Sequence, residues 1–506
     1  MKNILSDYYR VPEPCVTFEP VGERASESGY FRFGDDLILY GRPGPGWVAA
    51  SAEDNLYDTQ YLAGARDQRV TLPFDAAETA DNLRRERYHA AMLDRQSRSL
   101  GFQVARHLYY LARPLLGVGL RRHVQKAYHH GWEKLRFPHW PVDTTVDTLH
   151  RRLLGLTSKA AHEPAVPFIW FWPEGANGCL IMTHDVETAV GRDFCSTLMD
   201  LDDEHGIKAS FQVVPEQRYA VTERYLESIR QRGHEVNVQD LNHDGFLYED
   251  PAEFRRRARK INGYIGHYGA RGFRAGLLSR RQDWFDEFEF SYDMSVPNVA
   301  HLDPQRGGCC TVMPYYVGKI LELPVTTTQD YQLFYVLGKH SLDLWKHQID
   351  LILENNGLIS FIIHPDYVID PRNREVFTGL LRYLTEVCAS RNVWKALPRE
   401  VDEWWRMRSE MRLVRHGETW CVEGAGSERA RVAYARLHGE SVEYSFEPPS
   451  PAVAPDPSRA AAPQPSPARE NAGGRGTIPG TITAWLALWN VEELITLLAS
   501  ALLTVV

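Results

Sequence analysis

Gly178–Glu187 (GCLIMTHDVE) is an apolar run, Gly178 to Met182, that ends on Thr183-His184-Asp185-Val186-Glu187. A continuous apolar run suits a strand buried on both faces, as in parallel sheets. Titratable residues just past such a strand stand where barrel enzymes place their chemistry. Six further runs follow: Lys208–Val214, His234–Val238, Gly272–Ala275, Phe290–Val296, Ile320–Pro324 and Leu358–Ile363. Helical patterns lie between several of them, clearest at Thr222–Arg232, Pro251–Tyr264 and Leu342–Glu354. This alternation over 165–400 predicts an α/β fold, a barrel of seven strand–helix units with its active face at the strand ends.

Outward from that barrel the chain changes character. Residues 1–164 predict a mixed α+β region. Tyr30–Tyr40 reads as two short strands about a Gly-Asp-Asp turn, and helical patterns run over Glu78–Ala91 and Phe102–His130. Residues 101–136 set seven Arg and Lys against Glu133 among apolar side chains, a pattern that suits either a packed helix with a basic outer face or peripheral contact with an anionic membrane. A helical ending over Glu400–Met411 leads into strand-like pieces, so 401–446 predicts a small β-rich appendage. Residues 447–480 have linker composition, with eight prolines in 448–467. The tail, 481–506, is apolar, but Glu492 and Glu493 in its middle would each cost roughly 2.5–3.5 kcal/mol near a bilayer centre, which favours an amphipathic over a spanning helix.

Composition narrows the function. Of 506 residues 43% are hydrophobic and 24% charged, which excludes wholesale disorder. The net charge of −9 argues against a dedicated nucleic-acid binder. Seven cysteines without a CxxC pair suit a reducing compartment, and Met1–Pro12 has no apolar signal core. The expected location is therefore cytoplasmic, with peripheral contact at the inner membrane face through 101–136.

Four clusters at strand ends carry chemistry. Asp185 and Glu187, two residues apart beside His184, suit divided duties of metal binding and base catalysis, although a helix N-cap would use the same residue types. Gln239 and His243 are four apart, so a helical turn would aim both at one point. Arg274 ends a strand and can pair with Asp185. His364-Pro365-Asp366-Tyr367 follows the apolar run Leu358–Ile363.

These residues resemble the polysaccharide deacetylases, NodB-like carbohydrate esterases, over about 175–370. The resemblance extends to a bacterial branch marked by Gly233-His234-Glu235 with His243-Asp244-Gly245, by Tyr292-Asp293-Met294-Ser295-Val296-Pro297 and by Gly307-Gly308-Cys309-Cys310. Glu322-Leu323-Pro324 with Gln329-Asp330, and His364 to Tyr367, complete the set. It implies a distorted (β/α)7 barrel that removes N-acetyl groups from an amino sugar in a glycan or glycan precursor, using a divalent metal, zinc in many relatives. By the same resemblance Asp185 is the base, His364 the acid for the leaving amine, and Arg274 holds Asp185. Glu187, Gln239 and His243 fall at the metal positions, and Asp330 and Tyr367 are candidate substrate contacts. Asp330 could equally cap a helix, and Trp284 shares with Tyr367 the choice between stacking on a sugar and packing in the core.

The sequence departs from the pattern at the metal. Val186 stands at the usual ligand acid, so Glu187 takes that duty, and Gln239 replaces an expected histidine with a weaker, neutral donor. Three readings stay open: a metal enzyme with His184 or Asp240 as an added donor, a metal-independent amidohydrolase using Asp185 and His364, and a catalytically silent carbohydrate-binding or assembly protein. Gly276, where many relatives have proline, predicts a looser loop. The oligomeric state is left open.

Overall fold

The computed structural model describes residues 4–12, 16–44, 46–89, 129–161, 165–439 and 441–448. Nearly all of the helical pattern over 102–130, most of the basic stretch 101–136, nearly all of the linker and the whole apolar tail lie outside these residues.

All seven expected barrel strands are present. They are β1 (Gly178–Val186), β2 (Ala209–Val213), β3 (Glu235–Gln239), β4 (Gly272–Arg274), β5 (Tyr292–Asp293), β7 (Ile320–Glu322) and β8 (Leu358–Ile363). Two short strands join them: β6 (Tyr315–Val317), antiparallel to β7, and β9 (Val393–Lys395), parallel to the start of β1. The order is β6-β7-β5-β4-β3-β2-β1-β8, parallel throughout apart from the β6–β7 pair. This is a mixed α/β fold whose sheet curls into a distorted barrel. Where β7 gives way to Val325–Thr328, the gap to β8 is bridged by side chains. Thr326 Oγ1 donates to Leu358 O and Thr327 Oγ1 to Ser360 O, each at 2.7 Å.

β5 is shorter than the expected Phe290–Val296. The Asp293 carboxylate accepts the Ser295 amide (3.0 Å) and hydroxyl (2.8 Å), so the backbone turns in on itself and leaves the ladder. The helices follow their sequence signals closely. Thr188 caps Ala189–Glu204, Asp250 caps Pro251–Tyr268, and Asp370 caps Pro371–Ser390.

Before the barrel, Gly29–Arg32 and Ile38–Gly41 form the expected hairpin. The helix expected over Glu78–Ala91 is Ala76–Arg84, started by Asp75, which accepts the amides of Ala77 and Glu78 at 3.0 Å. After the barrel, Pro398–Glu410 is helical and four strands follow. Val432–His438 pairs with Val166–Ile169 ahead of the barrel, so apolar packing runs across 164/165 and 400/401. Arg408, wholly buried, ties these parts together by donating to the carbonyls of Trp170, Ile169 and Tyr8. Among the described residues no helix is long and apolar enough to cross a membrane.

Candidate active site

Strand alternation decides which side chains of β1 meet. Thr183, Asp185 and Glu187 share one face, and His184 and Val186 take the other. The spacing Asp185-Val186-Glu187 thus presents two carboxylates to one point. His184 turns away into the core, where Nε2 lies 2.9 Å from Asp202 Oδ2 and Nδ1 3.2 Å from Ile363 O. It is therefore no added metal donor. The helix cap weighed for this stretch belongs to Thr188 instead.

Arg274, last residue of β4, is completely buried. Its Nη1 donates to Asp185 Oδ1 at 2.6 Å and to Thr183 Oγ1 at 2.7 Å, and its Nε to Met294 O at 2.9 Å. A charge-assisted bond from a guanidinium held at three points fixes the Asp185 carboxylate in place. Thr183 was missed in the sequence, although its place two residues before Asp185 was the available signal.

Gln239 ends β3 in register with Arg274. The helical turn expected between Gln239 and His243 is absent. Asp240 and His243 adopt positive φ, 51° and 53°, and a loop brings the two side chains together. Gln239 Nε2 donates to both Asp185 Oδ2 and Glu187 Oε1 at 3.1 Å, and His243 Nε2 lies 2.7 Å from Glu187 Oε1. Arg218, for which the sequence held no signal, approaches His243 Nδ1 at 3.4 Å. Asp240 is buried behind this loop, its Oδ1 accepting the Leu241 amide, and is not a ligand in this arrangement.

His364 follows β8, and its Nε2 is 3.5 Å from Glu187 Oε1. Asp330 lies beneath it rather than on the pocket wall. With no exposed surface, Asp330 accepts the His364 amide on Oδ2 and pairs with His364 Nδ1 through Oδ1, each at 2.7 Å. The expected contact of Asp330 with substrate hydroxyls gives way to this service to His364, because both oxygens are already used. Tyr367 does face the pocket, its ring 4.9 Å from the imidazole of His364. Trp284 packs on Phe254 and Tyr248, away from the pocket.

Burial pushes the Glu187 carboxyl up, but His243 and His364 outweigh it and hold the group well below its usual range. Burial likewise opposes the charged forms of His243 and His364. Glu187 nonetheless raises His243, and Asp330 with Glu187 raises His364 well above an ordinary histidine. Gly276 is not a loosened hinge. A Cβ there would stand 2.6 Å from Asp240 Oδ2 and 3.1 Å from His243 Cδ2, so glycine lets this loop pack directly on the imidazole. Asp185, Glu187, His364 and Tyr367 line one pocket of about 70 Å³.

The solved structures it resembles include deacetylases and esterases, and also an allantoinase and a 4-alpha-glucanotransferase. A chain from Mycobacterium smegmatis assigned to the polysaccharide deacetylases is 20% identical over 50% of this chain and 98% of its own, with a TM-score of 0.38. One from Pseudomonas aeruginosa PAO1 with the same assignment is 16% identical over 46% and 93%, at 0.37. A family 4 carbohydrate esterase from Streptomyces lividans, in complex with acetate, is 10% identical over 44% and 93%, at 0.29. At these values the likenesses carry no functional argument, and the fold rests on the sheet described above. No family model and no curated protein matches the chain.

A divalent cation fits the donor set. Asp185, Glu187 and His364 each bring one ligating atom within 4.8 Å of the others, a set that shares only Glu187 with the expected Glu187, Gln239 and His243, and His243 reaches Glu187 from the side. Gln239 gives a further test. Its buried Oε1 has no hydrogen-bond partner, whereas its Nε2 sits between two carboxylates. Turning the amide over would aim that oxygen at the carboxylates, an orientation that a cation among them would stabilise.

Proposed function

We propose that this protein is a hydrolase that removes an N-acyl group, acetyl in the simplest case, from an amino sugar in a polysaccharide or glycan precursor. The observation that carries the reading is the convergence of Asp185, held by Arg274, with His364, held by Asp330, on the two sides of Glu187 in one pocket. An oriented carboxylate and an oriented imidazole are the base and acid that amide hydrolysis requires.

Asp185 takes a proton from the attacking water, and Arg274 keeps its carboxylate oriented throughout. His364 presents Nε2 to the pocket because Asp330 fixes Nδ1, and it delivers a proton to the departing amine. Glu187, His243 and the Gln239 amide oxygen would hold the divalent cation, zinc by the resemblance. When bound, that cation supplies Lewis acidity to the acyl carbonyl and to water. The Tyr367 ring beside His364 offers a stacking face for the sugar.

The second reading is a silent carbohydrate-binding protein. It is favoured by Gln239 Nε2, which already satisfies both carboxylates without a cation. Metal analysis of the purified protein, with acetate release from N-acetylated oligosaccharides before and after chelation, separates the two. Near-stoichiometric metal and chelator-sensitive release support the hydrolase. A metal-free protein that binds the oligosaccharide and releases no acetate supports the silent reading. Acetate release indifferent to chelation would keep the hydrolase and remove the metal.

A further inference from the structure

The pocket beside the acid and base is larger and more apolar than an acetyl group needs. Its volume of about 70 Å³ has room for roughly five water-sized groups, more than the three heavy atoms of an acetyl group. Leu277, Leu302, Pro304 and Val336 form an apolar wall in the same pocket as Asp185, Glu187 and His364.

That wall is built at a cost to the backbone. Leu277 and Leu278 are consecutive left-handed residues, φ 57° and 50°, a conformation that disfavours branched side chains and concentrates at functional sites. Leu278 anchors the turn by burying itself against Val325 and Ile362. Gly276 packs the other end against His243. Leu277, pinned between them, keeps part of its side chain on the pocket surface.

Two of the amide donors in the lining are committed elsewhere. The amide nitrogens of Gln329 and Gln332 both donate to Asp303 Oδ1, at 2.9 and 2.7 Å. A wall meant for sugar hydroxyls alone would leave such donors free for the ligand.

We propose that Leu277, Leu302, Pro304 and Val336 receive an acyl chain longer than acetyl, which makes the substrate class an amino sugar bearing a medium-length N-acyl group. This rests on the hydrolase reading, because the scissile carbonyl is placed at Asp185 and His364.

The test uses the full-length protein and N-acylglucosamines from acetyl to octanoyl. It reads amine release with wild type and calorimetric affinity with Asp185→Asn. The expected result is a rise in both kcat/KM and affinity of about fourfold per added methylene over the first few carbons. Leu277→Gly should flatten that rise, and glycine is at home at this φ, so folding is not at risk. Best turnover of the acetyl compound, or a chain-length response unchanged in Leu277→Gly, overturns the proposal and leaves the hydrolase in place. Length-dependent binding without amine release overturns the substrate class together with the hydrolase reading and leaves the wall as a binding site for acyl chains. No binding of any member at millimolar concentration overturns the proposal.

Discussion

Asp330 and His364 are 34 residues apart in sequence and share two contacts of 2.7 Å, one through the ring and one through the backbone amide. Removing the charge should therefore turn the imidazole without emptying the site. Asp330→Asn is expected to lower turnover about 10- to 100-fold, with metal content and circular dichroism unchanged. Full activity in that variant would show that His364 needs no support. This pairing was illegible in the sequence because it is a tertiary contact between segments distant in the chain. Asp185 with Arg274 could be suggested beforehand, because each residue ends an apolar run and their charges are opposite. The Gln239–His243 turn was misjudged for a local reason. Asp240 adopts positive φ, and one such residue converts helical spacing into a loop that still delivers both side chains.

At the scale of elements, the β4 end and the loop that follows it form one unit. Arg274 reaches Asp185, Gly276 packs on His243, and Leu277 lines the pocket. Gly276→Ala should push His243 away from Glu187, since the added Cβ would stand 3.1 Å from the imidazole and 2.6 Å from Asp240 Oδ2. A stability loss of about 1–3 kcal/mol is expected from overpacking, with weaker metal binding by titration. Unchanged metal affinity would mean that the loop tolerates the methyl. The strands were largely legible because parallel strands are continuous apolar runs, and Leu358–Ile363 matches its expected bounds residue for residue. β5 was overestimated because the capture of Ser295 by Asp293 overrides strand propensity. The side-chain bridges of Thr326 and Thr327 to β8 left no signal in the apolar pattern.

Across the whole molecule, buried histidines link stability to pH. Burial pushes the His301 imidazole down to about 4, with Arg306 and His139 adding to the effect against a hydrogen bond that the ring donates to the Pro138 carbonyl. In the unfolded chain the same group titrates near 6.5, so below that pH the unfolded state binds more protons. The stabilisation is present above pH 6.5 and is lost as pH falls from 6.5 toward 4. Urea unfolding at pH 7.5 and 5.5 should show about 1.4 kcal/mol less pH dependence in His301→Asn than in wild type. Equal slopes would place the titration elsewhere, and His89 and His129 are each lowered to about 4 by the same cause. The N- and C-terminal parts share an apolar core that reaches one side of the barrel, and the candidate pocket opens among the strand ends. The account as a whole turns on whether Asp185 and His364 carry out hydrolysis in that pocket. The most direct measurement is amine release from an N-acetylated glucosamine oligosaccharide by wild type and by Asp185→Asn, with folding checked by circular dichroism. Turnover by the wild type that falls about 10²- to 10⁴-fold in the variant is the predicted result. Wild-type protein that releases no amine, or a folded variant as active as wild type, would contradict it.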